Sequence, residues 1–221
     1  MAAEHAMRSV EPDLLWRWVA ARSIARGQPL PVPDRGGMRV DTGLPEEVRR
    51  YVFAGPCPGL RELAAAIDTP HVYLKVCAGA AELEGLLPPR WQLQPAGYLM
   101  AHDGPPAEPV QPARGYRIAL LRDGALNAAR ILAADGTIAA SGHAVEHEGL
   151  FILDRILTHP DHRRRGLGRA LVTGLVSMQR APAARRVLVA TEDGRALYAS
   201  LGWHVLSPYS TFVIPAHGSQ G

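Results

Sequence analysis

The sequence predicts an α/β protein organised on a mixed sheet, and three observations carry that expectation. Residues 150–159, Leu-Phe-Ile-Leu-Asp-Arg-Ile-Leu-Thr-His, are rich in large apolar and β-branched residues and stop at Pro160, which has no N–H to give a ladder. They read as a buried strand ending in a turn. Beyond the turn, Leu167, Ala170, Leu171, Gly174, Leu175 and Met178 recur at helical spacing, with Arg169, Thr173, Ser177 and Arg180 on the other face. The unit is therefore strand, basic glycine loop, helix. Finally, residues 50–100 alternate short strand-like runs with helical stripes, the pattern of an α/β unit.

Taken from the N-terminus, Pro12 suits a first helical turn, and Leu14, Leu15, Trp18 and Val19 give a helical stripe that fades near Arg26-Gly27. Gln28 to Gly37, with three prolines and two glycines, is expected to be an irregular connector. Arg50–Ala54 reads as a strand, Gly59–Ile67 as a helix, His71–Ala78 as a strand and Ala80–Leu87 as a helix stopped by Pro88-Pro89. Trp91–Met100 reads as a strand kinked at Pro95. Asp103–Gly115 carries four prolines and few large apolar residues, which marks a connector. The division placed there gives an N-terminal α/β region, 1–110, and a second domain, 111–221. In the second, Tyr116–Leu121 is a strand, and Asn127–Ala133 with Thr137–Val145 forms a hairpin turning at Asp135-Gly136. After the central unit come a strand Arg186–Ala190, a helix Gly194–Leu201 closed by Gly202, and two strands, Trp203–Leu206 and Ser210–Ile214; residues after Pro215 are expected to fray.

A helix N-terminus presents unpaired N–H groups and partial positive charge, which suits phosphate. Gly166 and Gly168 leave the backbone there open, and Arg163, Arg164, Arg165 and Arg169 add charge. This predicts a phosphorylated ligand. It is not a dinucleotide fingerprint, whose third glycine would fall at Leu171, nor a P-loop, since no Gly-Lys-Ser/Thr triplet occurs.

Arg163-x-x-Gly166-x-Gly168, after a strand ending Thr158-His159-Pro160, resembles the acetyl-CoA loop of the GCN5-related N-acetyltransferases, the GNAT superfamily. The run Arg195-Ala196-Leu197-Tyr198-Ala199-Ser200-Leu201-Gly202-Trp203 is similar to the helix-to-strand segment that closes the family's cofactor cleft. The resemblance covers about the last half of the chain. It implies a GNAT acyl-CoA N-acyltransferase fold with an additional N-terminal region, which is either a scaffold or a degenerate second copy of the same fold.

The resemblance also implies chemistry. An acetyl or other short acyl group would pass from its CoA thioester to an amine by direct attack in a ternary complex. The pantetheine would lie along Ile156, Leu157 and Thr158, and the pyrophosphate on the backbone from Arg164 through Gly166, Leu167 and Gly168 to Arg169, beside Arg163 and Arg165. Tyr198 occupies the position whose phenol faces the coenzyme sulfur; at its ordinary pKa of about 10 it stays protonated and can donate. For the general base, strand alternation places Asp154 on the face of Ile156, and Glu146, His143 and His147 come from the adjoining hairpin. The family's two helices after the first strand have no counterpart between Leu121 and Asn127, so an N-terminal segment is expected to wall the acceptor side, or the first strand lies earlier. Two other readings stay open: a non-catalytic acyl-CoA-binding module, and a protein N-terminal or lysine acetyltransferase.

Composition bounds these readings. The chain has 221 residues, 47% of them hydrophobic, enough for one large core or two small ones. No stretch resembles a membrane span or signal peptide, so a cytoplasmic protein is expected. Cys57 and Cys77 fit reduced thiols better than a disulfide framework. The formal charge is only +3 and every basic residue but Lys75 is arginine, so nucleic-acid binding is not expected. His159, Asp161 and His162 sit in one turn without a further ligand at zinc-like spacing, so no metal is expected. A homodimer is an expectation by resemblance.

Overall fold

The computed structural model describes residues 10–216; the expectations for the extreme N-terminus and for most of the tail after Pro215 fall outside them. The first helix, α1 (Pro12–Ala25), starts with proline in its opening turn and buries Leu14, Leu15, Trp18 and Val19 as the stripe requires. The passage expected to be irregular instead forms a hairpin, β1 (Val32–Asp34) and β2 (Gly37–Val40). Its turn is Arg35-Gly36, both at positive φ (46° and 80°), the backbone that matches the twist of a two-residue hairpin loop. There follow β3 (Arg49–Phe53), α2 (Pro58–Ala66) and β4 (Val72–Val76). The helix expected over Ala80–Leu87 is only a 3-10 turn, Ala80–Leu83. The kinked strand expected over 91–100 is two strands, β5 (Gln92–Leu93) and β6 (Gly97–His102).

The second half supplies β7 (Tyr116–Asp123), β8 (Leu126–Ala133), β9 (Ile138–His147), β10 (Leu150–Thr158), α3 (Leu167–Val176), β11 (Arg185–Thr191), α4 (Glu192–Ala199) and β12 (His204–Val213). Thr191 caps α4, its hydroxyl accepting the Gly194 N–H. The two closing strands expected from the sequence are one strand, β12, bulged between Val205 and Ser207.

All twelve strands join one sheet in the order β1-β2-β3-β4-β12-β6-β11-β10-β9-β8-β7, with β5 on β12. Two parallel pairs, β3–β4 joined through α2 and β10–β11 joined through α3, flank an antiparallel centre made of β12 and β6. β6, from the first half, pairs with β11 of the second, and β12, from the second, pairs with β4 of the first. Exchanging β3 with β10, β4 with β11 and β6 with β12 reproduces the order of these six central strands read from the opposite edge. The two halves are thus topological copies that trade their last strands, and the strand-free segment 103–115 joins them.

Alternation sorts the core into two layers. Phe151 and Leu153 of β10 pack with Leu167, Leu171 and Leu175 of α3, whereas Leu150 and Ile152 pack with Leu15 and Trp18 of α1. The pairing of Pro208 with Tyr98 puts Phe212, and the α2 residues around it, on the α3 side. Among the described helices α1 alone crosses the opposite face, over Val40 and Val52 of the first half and Val145 and Ile152 of the second.

Candidate active site

Strands β10 and β11 are hydrogen-bonded only at their start, Leu150–Ile152 against Arg185–Val187. Beyond Ile152 they separate, and the edge of β10 that faces β11 has no ladder. At the divergence β10 carries a bulge: its register with β9 shifts between Asp154 and Leu157, and Arg155 has φ +53°. Leu157 is 59% exposed and Thr158 half-buried, while Ile156 turns into the core above Gly142. Unpaired amides along one strand edge are what an extended amide-bearing chain needs in order to bind as an extra strand.

That open edge runs into the glycine loop. Gly166 is the N-cap of α3 at φ +73°, and a Cβ there would meet nothing within 4 Å, so its role is conformational and the space before it is free. Arg164, two residues earlier, is also left-handed at φ +60°. Gly168 has the opposite reason to be glycine: a Cβ would sit 2.9 Å from Leu197 Cδ2, so its absence lets the start of α3 lie under α4. The first N–H groups of this ten-residue helix point out of the loop with no side-chain cap. Arg165 donates to the Tyr116 hydroxyl at 2.9 Å and Arg169 to the Ser200 hydroxyl at 3.0 Å, which fixes two of the four arginines around the loop. These features fit a pantetheine-pyrophosphate ligand, with Ile156–Thr158 along the chain and Arg163–Arg169 at the phosphates. Among the described residues, no group of three or more His, Cys, Asp or Glu is placed to hold a metal ion. His162 is instead 3.0 Å from the Tyr116 hydroxyl.

The structure separates the residues considered for proton transfer. Tyr198 of α4 is buried against Trp203, ring centroids 5.7 Å apart, and burial pushes its phenol above the ordinary value. It stays protonated at neutral pH. Glu146 lies on the α3 face, where its two carboxylate oxygens accept the N–H groups of Arg180 and Ala181 at 2.9 Å. Its register partner is Phe151, at the end of β10 away from the glycine loop. A carboxylate spent on closing the α3–β11 connection is poorly placed to take a proton at the cleft.

Asp154 is on the α1 face, not with Ile156 as alternation implied, because the bulge at Arg155 inverts the facing of every later residue in β10. Arg26 of α1 grips it with two hydrogen bonds, 2.6 and 2.8 Å, and Arg22 lies 3.5 Å away. Burial would raise the carboxyl, yet the Arg26 bonds and the Arg22 charge outweigh it and hold it below 3.8. Such a carboxylate is a weak base. Opposite Asp154 in the ladder is His143, also on the α1 face. Its Nδ1 is buried without a hydrogen-bond partner among the described residues, and burial, with Arg155, lowers its pKa below 6.5. A neutral imidazole on β9, one strand from the divergence of β10 and β11, is a better proton acceptor than the clamped Asp154 carboxylate. The sequence placed His143 on the hairpin, but only the ladder shows it facing Asp154, and nothing in the sequence pointed to Arg22 or Arg26. β7 runs into β8 with no helix between them, and α1 packs across β9 and β10.

Comparison with known proteins agrees with this geometry. The family model described as the acetyltransferase (GNAT) domain matches residues 125–205, from β8 to the start of β12. A search of curated proteins finds no match. Among solved structures, a GCN5-related N-acetyltransferase from Kribbella flavida superposes with TM-score 0.63 at 15% identity, over 94% of this chain and 96% of that one. A crystal structure described as an acetyltransferase of the GNAT family, from Novosphingobium aromaticivorans, gives 0.58 at 17% identity, over 94% and 100%. A tandem GNAT protein from the clavulanic acid biosynthesis pathway gives 0.50 at 15% identity, over 83% and 80%. At these identities the likeness establishes the fold.

Proposed function

We propose that the protein, whose residues 125–205 match the model of the GNAT acetyltransferase domain, transfers an acetyl or other short acyl group from its CoA thioester to an amine. The observation that carries this reading is the continuity of the free β10 edge with the glycine-capped start of α3. One surface there offers unpaired amides for pantetheine and a helix N-terminus for pyrophosphate. When bound, the thioester supplies an acyl carbon open to direct attack by the amine.

The chain's own residues then have distinct tasks. The β10 backbone from Ile156 to Thr158 orients the ligand, and Arg163 and Arg164 neutralise its phosphates. The attacking amine must be uncharged, and His143 takes its proton directly or through water. Asp154, clamped by Arg26, holds β10 to α1 and favours the imidazolium that forms beside it when the proton is taken. Tyr198 gives its proton, or a hydrogen bond, to the departing thiolate.

The test is CoA release with a panel of amines. Tyr198→Phe should lower kcat by about tenfold or more with acetyl-CoA affinity kept, because the phenol acts on the leaving group and not on binding. His143→Gln should remove the acid-side fall of kcat/KM below pH 6.5. Unchanged turnover in both variants would remove Tyr198 and His143 from the chemistry, and a wild-type protein that binds acetyl-CoA but releases no CoA with any amine would be an acyl-CoA-binding module.

A further inference from the structure

The α1 face carries a second group of buried charges, contiguous with Asp154, that acyl transfer as described does not use. Arg50 of β3 is 1% exposed; one terminal nitrogen donates to Gln28 at 2.7 Å and to Glu47 at 3.0 Å, while its Nε has no partner among the described residues. Lys75 of β4, the chain's only lysine, lies 3.7 Å from Glu47, beyond hydrogen-bond length. Tyr209 of β12 stands edge-on to Trp18, 5.7 Å between ring centroids, with its hydroxyl buried and without a partner among the described residues. Arg22 lies over the same Trp18 ring, 5.3 Å from its centroid. Arg22 is also close enough to Arg50 and Lys75 to disfavour their charged forms, after the larger effect of burial itself, leaving them at about 10 and about 7.

The balance of charge is uneven. Four cations, Arg22, Arg26, Arg50 and Lys75, face two carboxylates, Glu47 and Asp154, and each carboxylate already serves two cations. Even with Lys75 neutral the network is positive. A buried cation without a counter-charge is strongly unfavourable, and a hydroxyl and an Nε without partners add to it. The floor is closed, but Arg22, Arg26 and Glu47 keep 15–17% of their side chains exposed, so the cluster opens to solvent at its rim. An anion entering past that rim would supply the missing charge and the missing acceptor together.

We propose that this face binds an oxyanion, a carboxylate or phosphate carried by the amine acceptor itself, held by Arg22, Arg50 and the Tyr209 hydroxyl. The acceptor is then a zwitterionic or anionic amine of the amino-acid or phosphoamine type, its anion under α1 and its nitrogen toward His143. That the anion belongs to the acceptor rests on the transferase reading; the anion site does not.

The test is thermal unfolding of the full chain with inorganic phosphate or succinate, against sodium chloride of equal ionic strength, followed by CoA release with paired amines. One of the two anions should raise Tm by about 3 °C or more, as mass action requires for a ligand of the native state, and Arg50→Gln and the rim variant Arg22→Gln should each abolish the rise. A response to phosphate alone identifies a phosphate-bearing acceptor, and one to succinate a carboxylate-bearing one. In turnover, L-amino acids or phosphoethanolamine should exceed their neutral counterparts, the amino-acid carboxamides or ethanolamine, by tenfold or more in kcat/KM. No rise over the chloride control, or a rise that persists in both variants, overturns the proposal whether or not acetyl-CoA binds. A rise lost in the variants, in a protein that does not bind acetyl-CoA, upholds the anion site and defeats the transferase reading instead.

Discussion

The units β3–α2–β4 and β10–α3–β11 occupy equivalent places in the sheet, each a parallel pair joined by one helix, yet only in the second is the space before the helix N-terminus free. In the second, eight residues, His159–Gly166, separate strand from helix, the N-cap is a left-handed glycine, and the space before it is free. In the first, four residues, Ala54–Cys57, make the connection, and Pro58 opens the helix without an N–H. The position of Gly59 is filled as well: a Cβ there would overlap the carbonyl of Arg35, in the β1–β2 turn. Shared topology places a helix N-terminus at the end of a strand in both halves. What makes one a cradle is loop length, a positive-φ cap and the absence of anything packed in front of it.

The largest expected effect lies where α1 is tied to the second unit. Asp154→Asn leaves Arg22 and Arg26 buried without their counter-charge, and should cost about 3 kcal/mol in urea unfolding. The sign in pH follows from the depressed carboxyl. The wild-type advantage is present above pH 3.8 and vanishes as pH falls through the lower folded value, so the two proteins should converge in acid. A difference that survives at pH 2 would mean packing, not charge, holds α1 there.

A smaller effect distinguishes the two helix starts directly. Gly59→Ala must push the β1–β2 turn off α2 and should lower stability by about 2 kcal/mol, a Tm loss of about 6 °C, with acetyl-CoA affinity unchanged. If affinity falls as well, the first unit contributes to the cofactor site and the contrast between the halves is weaker than drawn.

The effect at Lys75, surrounded by Arg22, Arg26, Arg50 and Glu47, is the most gradual, spread over several pH units. Its ammonium is lowered in the folded chain to about 7 from 10.5, so between those values the unfolded state binds more protons and stability rises with pH, by at most about 1.4 kcal/mol per unit. Lys75→Met should flatten that rise in a Tm-against-pH series; an unchanged slope would assign it to other groups.

The sequence was most legible where local pattern and structure agree. β10, the glycine loop and α3 could be read from a β-branched run, a proline stop and a helical stripe, and α1 from its proline start and its leucines and Trp18. The β1–β2 hairpin was hidden in prolines and glycines, because Arg35 is an unusual residue for a positive-φ turn position. β12 looked like two strands because Ser207-Pro208 sits beside its bulge. The bulge at Arg155 mattered most for the site: one residue in an uncommon backbone state reversed the facing of Asp154 relative to Ile156, which no periodicity reveals. The cations under α1 come from α1, β3 and β4, so their convergence exists only in the fold.

The central claim is that one half holds the cofactor, and calorimetric titration with acetyl-CoA tests it most directly. The expected result is one molecule bound per chain, with affinity reduced about 100-fold or more by Gly166→Asp, which sets a carboxylate before the α3 N-terminus in space that is otherwise empty. Circular dichroism should show that variant folded. Two molecules per chain, or binding indifferent to Gly166→Asp, would contradict the account.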